Sequence, residues 1–135
     1  MLDTFLIPQN TVITEKGDSP ATDISAAGHR VFLITLNITQ IVEQESIDLS
    51  VFGSPDGNNW GQKALVIFPQ KFYRGETPIL LDLTKQPEIK ALRAHWEVNR
   101  WGRGPEKPTF EVQVQLKEVP AEMLQQAGAE AKTRA

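Results

Sequence analysis

Residues 110–116 read FEVQVQL, and every second side chain is apolar. Phe110, Val112, Val114 and Leu116 fall on one side of an extended chain, with Glu111, Gln113 and Gln115 on the other. A period of two is the side-chain repeat of a strand with one buried face, and it does not fit the 3.6-residue repeat of a helix. The pattern recurs. In VFLITLNITQ (31–40), Phe32, Ile34, Leu36 and Ile38 alternate with Thr35, Asn37 and Thr39. In IDLSVFG (47–53), Ile47, Leu49 and Val51 alternate with Asp48 and Ser50. Ile79, Leu81 and Leu83 form the inward set of TPILLDL (77–83). In IKALRAHWEV (89–98), Leu92, Ala94, Trp96 and Val98 oppose Arg93, His95 and Glu97. GQKALVIFP (61–69) reads as a further strand, ending at Pro69. Up to about Arg30 the chain is polar and turn-rich, with one short strand predicted near 11–14.

Strands separated by frequent turns, with no alternation of strand and helix, predict an all-β fold. The expected architecture is an antiparallel β-sandwich or jelly roll of about seven or eight strands over residues 1–119. The tail, PAEMLQQAGAEAKTRA (120–135), is rich in Ala, Glu and Gln. It predicts a short C-terminal helix with Pro120 in its first turn. Its apolar face is thin, carrying Met123, Leu124 and Ala127, and Gly128 weakens it. Such a helix needs another surface to stay folded.

A chain of 135 residues is long enough for one domain with a real core. The absence of cysteine excludes disulfides and thiolate metal sites. Two histidines, His29 and His95, leave no multi-histidine metal centre. A formal net charge of −3 does not call for a nucleic-acid or membrane partner. MLDTFLIPQN has neither the basic nor the apolar region of a secretion signal, and no apolar run approaches the roughly 18 residues of a membrane span. The expected location is therefore the cytoplasm or a particle assembled there.

SPDGNNW (54–60) joins two strand patterns. Gly57 accepts positive φ without steric cost, Pro55 fixes φ, and Ser54 and Asp56 can accept hydrogen bonds from the turn's amides. Trp60 is expected to start the returning strand and cap the hydrophobic layer. A calcium loop needs several alternating oxygen side chains and a later glutamate, whereas Asp56 is the lone carboxylate here. The stretch resembles the Asp-box hairpin of sialidases, but its Asp56 and Gly57 are adjacent, and that motif is itself a structural turn.

Two loops carry the candidate binding residues. In 93–107, Arg93, Arg100, Arg103 and Lys107, with Lys90 just before, outnumber Glu97 and Glu106, and Trp101 sits among arginines and glycines. Exposed Trp with Arg is the composition of interface anchors, and it also stacks on sugars or bases. Trp101 folding back as a core plug is the competing expectation. In FPQKFYRGE (68–76), Phe72 and Tyr73 lie between Lys71 and Arg74. The plainer expectation there is that both rings close one end of the sandwich. Arg93, His95 and Glu97 share the outer face of one strand, where a cross-strand polar ladder is expected. An acid/base pair of His95 and Glu97 is the residual enzymatic reading. No phosphate loop, nucleophile–base pair or metal-ligand spacing is present, so neither an enzyme nor a cofactor is expected.

The segments VFLITLNITQ, IDLSVFGSPDGNNW, ALRAHWEVNRW and PTFEVQVQL together resemble a small β-sandwich module of tailed-phage structural and virion-accessory proteins. The resemblance spans about 31–118. It implies a non-catalytic structural protein that assembles onto a capsid, tail or similar particle, as a homo-oligomer or on a protein partner. The GS-x-DG-x-x-W hairpin and the LR…W strand are also similar to discoidin-like carbohydrate-binding modules. This chain lacks their long N-terminal portion and paired cysteines. On that second resemblance Trp101, Tyr73, Arg103 and Asn58 would contact a glycan.

Overall fold

The computed structural model describes residues 2–42, 44–101, 108–120 and 122. Nine strands are found among them: β1 (Asp3–Ile13), β2 (Gly17–Asp18), β3 (Thr22–Asp23), β4 (Val31–Ile41), β5 (Glu45–Ser54), β6 (Val66–Ile67), β7 (Gly75–Asp82), β8 (Ala91–Arg100) and β9 (Phe110–Val119). They form two antiparallel sheets packed as a β-sandwich. One runs β1-β9-β4-β7, the other β2-β8-β5-β6, with β3 also paired to β8. The expected C-terminal helix lies outside the described residues, apart from Pro120 and Glu122.

Side-chain parity builds the core. Phe32, Ile34, Leu36 and Ile38 of β4 interleave with Phe110, Val112, Val114 and Leu116 of β9, all nearly inaccessible. Across the sandwich stand Ile47, Leu49 and Val51 of β5, with Leu92 and Ala94 of β8. Trp96 and Val98 pack against this cluster while remaining half-buried. The Trp96 indole N–H donates to the Glu15 carbonyl at 3.0 Å, so its edge faces the segment before β2 instead of the centre.

Two expectations fail at the sheet edges. The N-terminal stretch forms the 11-residue edge strand β1, not a short strand at 11–14. Its pairing with β9 slips between Phe5 and Ile7 and again between Ile7 and Thr11. Asn10, two residues after Pro8, adopts a left-handed φ of 62°. Bulges of this kind break alternation, so the adjacent Leu6 and Ile7 are both buried and the period-two signal vanishes. The bulges and Pro8 also blunt an edge that would otherwise template another strand. The second failure is the strand expected over 61–69, of which only Val66–Ile67 is regular. Flanking backbone bonds from Leu65 N–H to Val51 O and from Phe68 N–H to Leu49 O hold it to β5. Residues 55–64 are loop, and Gly61 takes a left-handed φ of 69°.

The antiparallel register sorts the connections between two poles. Ile41 lies beside Phe110 at one end of the first sheet, and Val31 lies beside Val119 at the other. In the second sheet Glu45 pairs with Arg100 and Ser54 with Ala91. The crossovers β4–β5, β6–β7 and β8–β9 therefore share the first pole. The loops β3–β4, β5–β6 and β7–β8, and the end of β9, share the second.

Candidate functional site

The first pole holds the exposed aromatic surface. Tyr73 is 78% accessible, Trp101 54% and Phe72 39%. Phe72 stands between the other two, with ring centroids 5.9 Å from Trp101 at 69° and 6.4 Å from Tyr73 at 58°. The two loops that carry separate candidate residues in the sequence thus converge. They wall an open groove of about 940 Å³, whose other side is formed by Gln40, Ile41, Gln44 and Glu45, with Arg74 at its rim.

Each wall is held from below. Lys71 exchanges both backbone hydrogen bonds with Ile47, at 3.0 and 3.1 Å. Phe68, 2% accessible, inserts into the core. The ring that closes this end of the sandwich is thus Phe68, and the expectation that Phe72 and Tyr73 do so is overturned. Beyond Lys71 the chain has left β5, and Phe72 and Tyr73 are both exposed. Gly75, at a φ of 141°, then turns the backbone into β7. Trp101 is fixed by its N–H, which donates to the Gln44 carbonyl at 3.0 Å. Gln44 itself sits at a left-handed φ of 62°. Trp101 is accordingly no core plug.

Glu45 is the residue that sequence reasoning passed over. It is inaccessible to solvent. Its carboxylate accepts the Thr109 N–H at 2.9 Å and the Val42 N–H at 3.3 Å, tying the β4–β5 crossover to the start of β9. Within EQES it reads as part of a break. Its parity with Ile47, Leu49 and Val51 was the available signal.

The remaining candidates scatter. Arg100 is half-buried opposite Glu45, and Lys90 donates its backbone N–H to Ser54 at the second pole. Arg103, Glu106 and Lys107 lie outside the described residues. Asn58 sits in the β5–β6 loop, a full strand length from Trp101. The structure therefore does not bring it to Trp101 and Tyr73, the other described residues expected to contact a glycan.

A polar cluster occupies the outer face of the second sheet. His95 Nδ1 lies 2.8 Å from Asp18 Oδ1, and Arg93 Nε lies 3.8 Å from the same oxygen. The Phe52 ring meets His95 edge-on at 6.0 Å. The Arg93 guanidinium stacks over the Trp60 ring at 4.5 Å, a cation–π contact. Trp60 therefore neither starts a strand nor caps the core. It shields the sheet's outer surface. Glu97 is in register with Asp48 of β5, and the side-chain partner of His95 is Asp18.

SPDGNNW is a self-contained hydrogen-bonded turn. The buried Ser54 hydroxyl accepts the N–H groups of Gly57 at 2.8 Å and Asp56 at 3.2 Å, and donates to Asp56 Oδ1 at 3.0 Å. Asp56 in turn accepts the N–H groups of Asn58 and Asn59, at 2.8 and 2.9 Å, and the Asn59 amide. These bonds, the Asn58 N–H foremost, hold the Asp56 carboxyl far below its ordinary range. Gly57 supplies the left-handed φ of 81°. The Ser54 hydroxyl and both Asp56 carboxylate oxygens are thus engaged by groups within the motif itself.

Among the described residues no group of three or more His, Cys, Asp and Glu is placed to hold a metal. No protein-family model matches the chain, and no curated protein matches it. Fold and site together define a β-sandwich with one aromatic groove at a pole.

Proposed function

We propose that this protein is a non-catalytic binding module that acts by docking into a larger assembly, with the Phe72–Tyr73–Trp101 groove as its contact. The observation that carries this reading is the convergence of three exposed rings and an exposed arginine on a braced rim. Trp, Tyr and Arg dominate the energetics of protein interfaces. Rings held in place by the fold lose little freedom on contact. The strand order supports the same reading. With β2 and β3 taken as one interrupted strand, the sheets follow the order of an eight-strand jelly roll, an architecture used by viral capsid and lectin domains. The resemblance to phage virion-accessory modules points to a capsid, tail or similar particle.

A carbohydrate ligand is the second reading, favoured by one feature. Gln40 and Gln44 line the same groove as the rings, which puts polar side chains and stacking planes together as sugar sites do.

The test places a photo-cross-linking amino acid at position 73 of the full chain, with position 58 at the opposite pole as control. A discrete adduct from 73 and none from 58 is expected in the cells that produce the protein. No adduct from 73, or equal adducts from both, would sink the proposal. Saturable quenching of tryptophan fluorescence by a member of a glycan panel, lost in Trp101→Ala, would select the carbohydrate reading.

A further inference from the structure

We infer that the outer face of the sheet β1-β9-β4-β7 binds a second copy of this chain, face to face about a two-fold axis. The inference goes beyond the docking groove and leaves that groove free.

The two outer faces of the sandwich differ in chemistry. Asp18, Asp48, Arg93, His95 and Glu97 all stand on the outer face of the second sheet. On the first sheet, β4 presents Leu33, Thr35 and Asn37, none of them charged. β9 presents Gln113 and Gln115, with Glu111 before them and Lys117 after. Leu33 pairs with Leu80 of β7, and both are half-buried on this face. The centre of the face is thus neutral and its charges stand at the ends of β9. Interface cores are depleted of charge in the same way relative to the surface around them.

The charge pattern names the occupant. Glu111 and Lys117 lie three residues either side of Val114, about 20 Å apart along the strand. A two-fold axis between two such faces, crossing β9 at the level of Val114, runs the two β9 strands antiparallel. It sets Glu111 of each copy opposite Lys117 of the other, and Gln113 opposite Gln115. Stacked sheets stand about 10 Å apart, a gap that a glutamate and a lysine bridge between them. Neither Glu111 nor Lys117 makes an ion pair within its own chain among the described residues. Another partner would have to offer this order of charges reversed, and a second copy does so by its own sequence. The same patch serves on both sides, so the contact is isologous and closes at two copies. The antiparallel arrangement puts the first pole of one copy beside the second pole of the other. The dimer carries one aromatic groove at each end and engages its assembly bivalently.

Sedimentation equilibrium of the full chain over a concentration series tests this. The wild type is expected to reach twice its 15.1 kDa chain mass. Lys117→Glu turns both ion pairs of the contact into like-charge pairs, and Glu111→Lys does so with the opposite sign. Each alone is expected as a monomer, with the circular dichroism spectrum of the wild type. Mixed in equal amounts, they restore both pairs and are expected to give a dimer with one copy of each. The double variant, its charges exchanged, is expected to dimerise with itself. Trp101→Ala is expected to keep the wild-type mass. A wild type that stays monomeric, a dimer from either single variant, or a mixture that stays monomeric would each overturn the inference. A monomeric Trp101→Ala would move self-association to the groove and overturn it as well. The cross-link from position 73 is read independently of this mass, so failure here and failure of the docking role are separable.

Discussion

Glu45 and Glu118 lie on the inward parity of their strands, where apolar residues belong, and both are buried at strand ends. Each carboxylate takes two backbone N–H groups that would otherwise be orphaned. Glu118 accepts those of Leu2 and His29, both at 2.8 Å, and so fastens the start of β1 and the approach to β4 at the second pole. The Leu2 bond is the larger cause of a Glu118 pKa lowered from the ordinary 4.5, and burial opposes it. A folded pKa below the unfolded one means the contribution is complete above the ordinary glutamate range. It is lost as pH falls through that range and below. Unfolding free energy is expected to decline on acidification below about pH 4.5 in the wild type and to decline less in Glu118→Gln. Denaturant melts at pH 7 and pH 3 measure this, and parallel declines would remove Glu118 from the account. Ser54→Ala strips a buried hydroxyl from three hydrogen bonds of the turn. It is expected to cost about 1–3 kcal/mol, and a loss below the error of a urea titration would show that Asp56 alone holds the turn.

At the scale of elements, the central strands and the edge strand β7 were legible, and the edges β1 and β6 were not. β4, β5, β8 and β9 each bury one face against the core, so their alternation survives in the sequence. β1 and β6 are edges, bent by bulges or cut to two residues, and their patterns break where pairing breaks. Gly53 shows the tolerance at one such junction. A Cβ there would stand 2.6 Å from Leu65 Cδ1 and 2.9 Å from Ile89 Cγ2. Gly53→Ala therefore requires the Leu65 and Ile89 side chains to shift. About 1–3 kcal/mol of destabilisation is expected from such overpacking. Unchanged stability would show that Leu65 swings aside freely.

For the whole molecule, the groove is set apart from the core that positions it. Phe68 and Tyr73 lie in one loop, yet the first is 2% accessible and the second 78%. Phe68→Ala is expected to cost about 3–5 kcal/mol, as for other buried aromatics. Tyr73→Ala is expected within about 0.5 kcal/mol of wild type. Urea titrations of the two variants compare them directly, and a large loss from Tyr73→Ala would return that ring to a structural role.

The sequence by itself determined the strand class, the faces of the central strands and the internal bonding of SPDGNNW. All three are local: parity and turn chemistry act between residues a few positions apart. Only the tertiary structure decided that Trp101 and the Phe72–Tyr73 pair share one groove while Asn58 stands at the far pole. It also decided that His95 takes Asp18 as its partner. Those placements depend on how often the chain crosses between the sheets before each loop, and on the register with which distant strands meet. Neither quantity is written in the residues of the loops themselves.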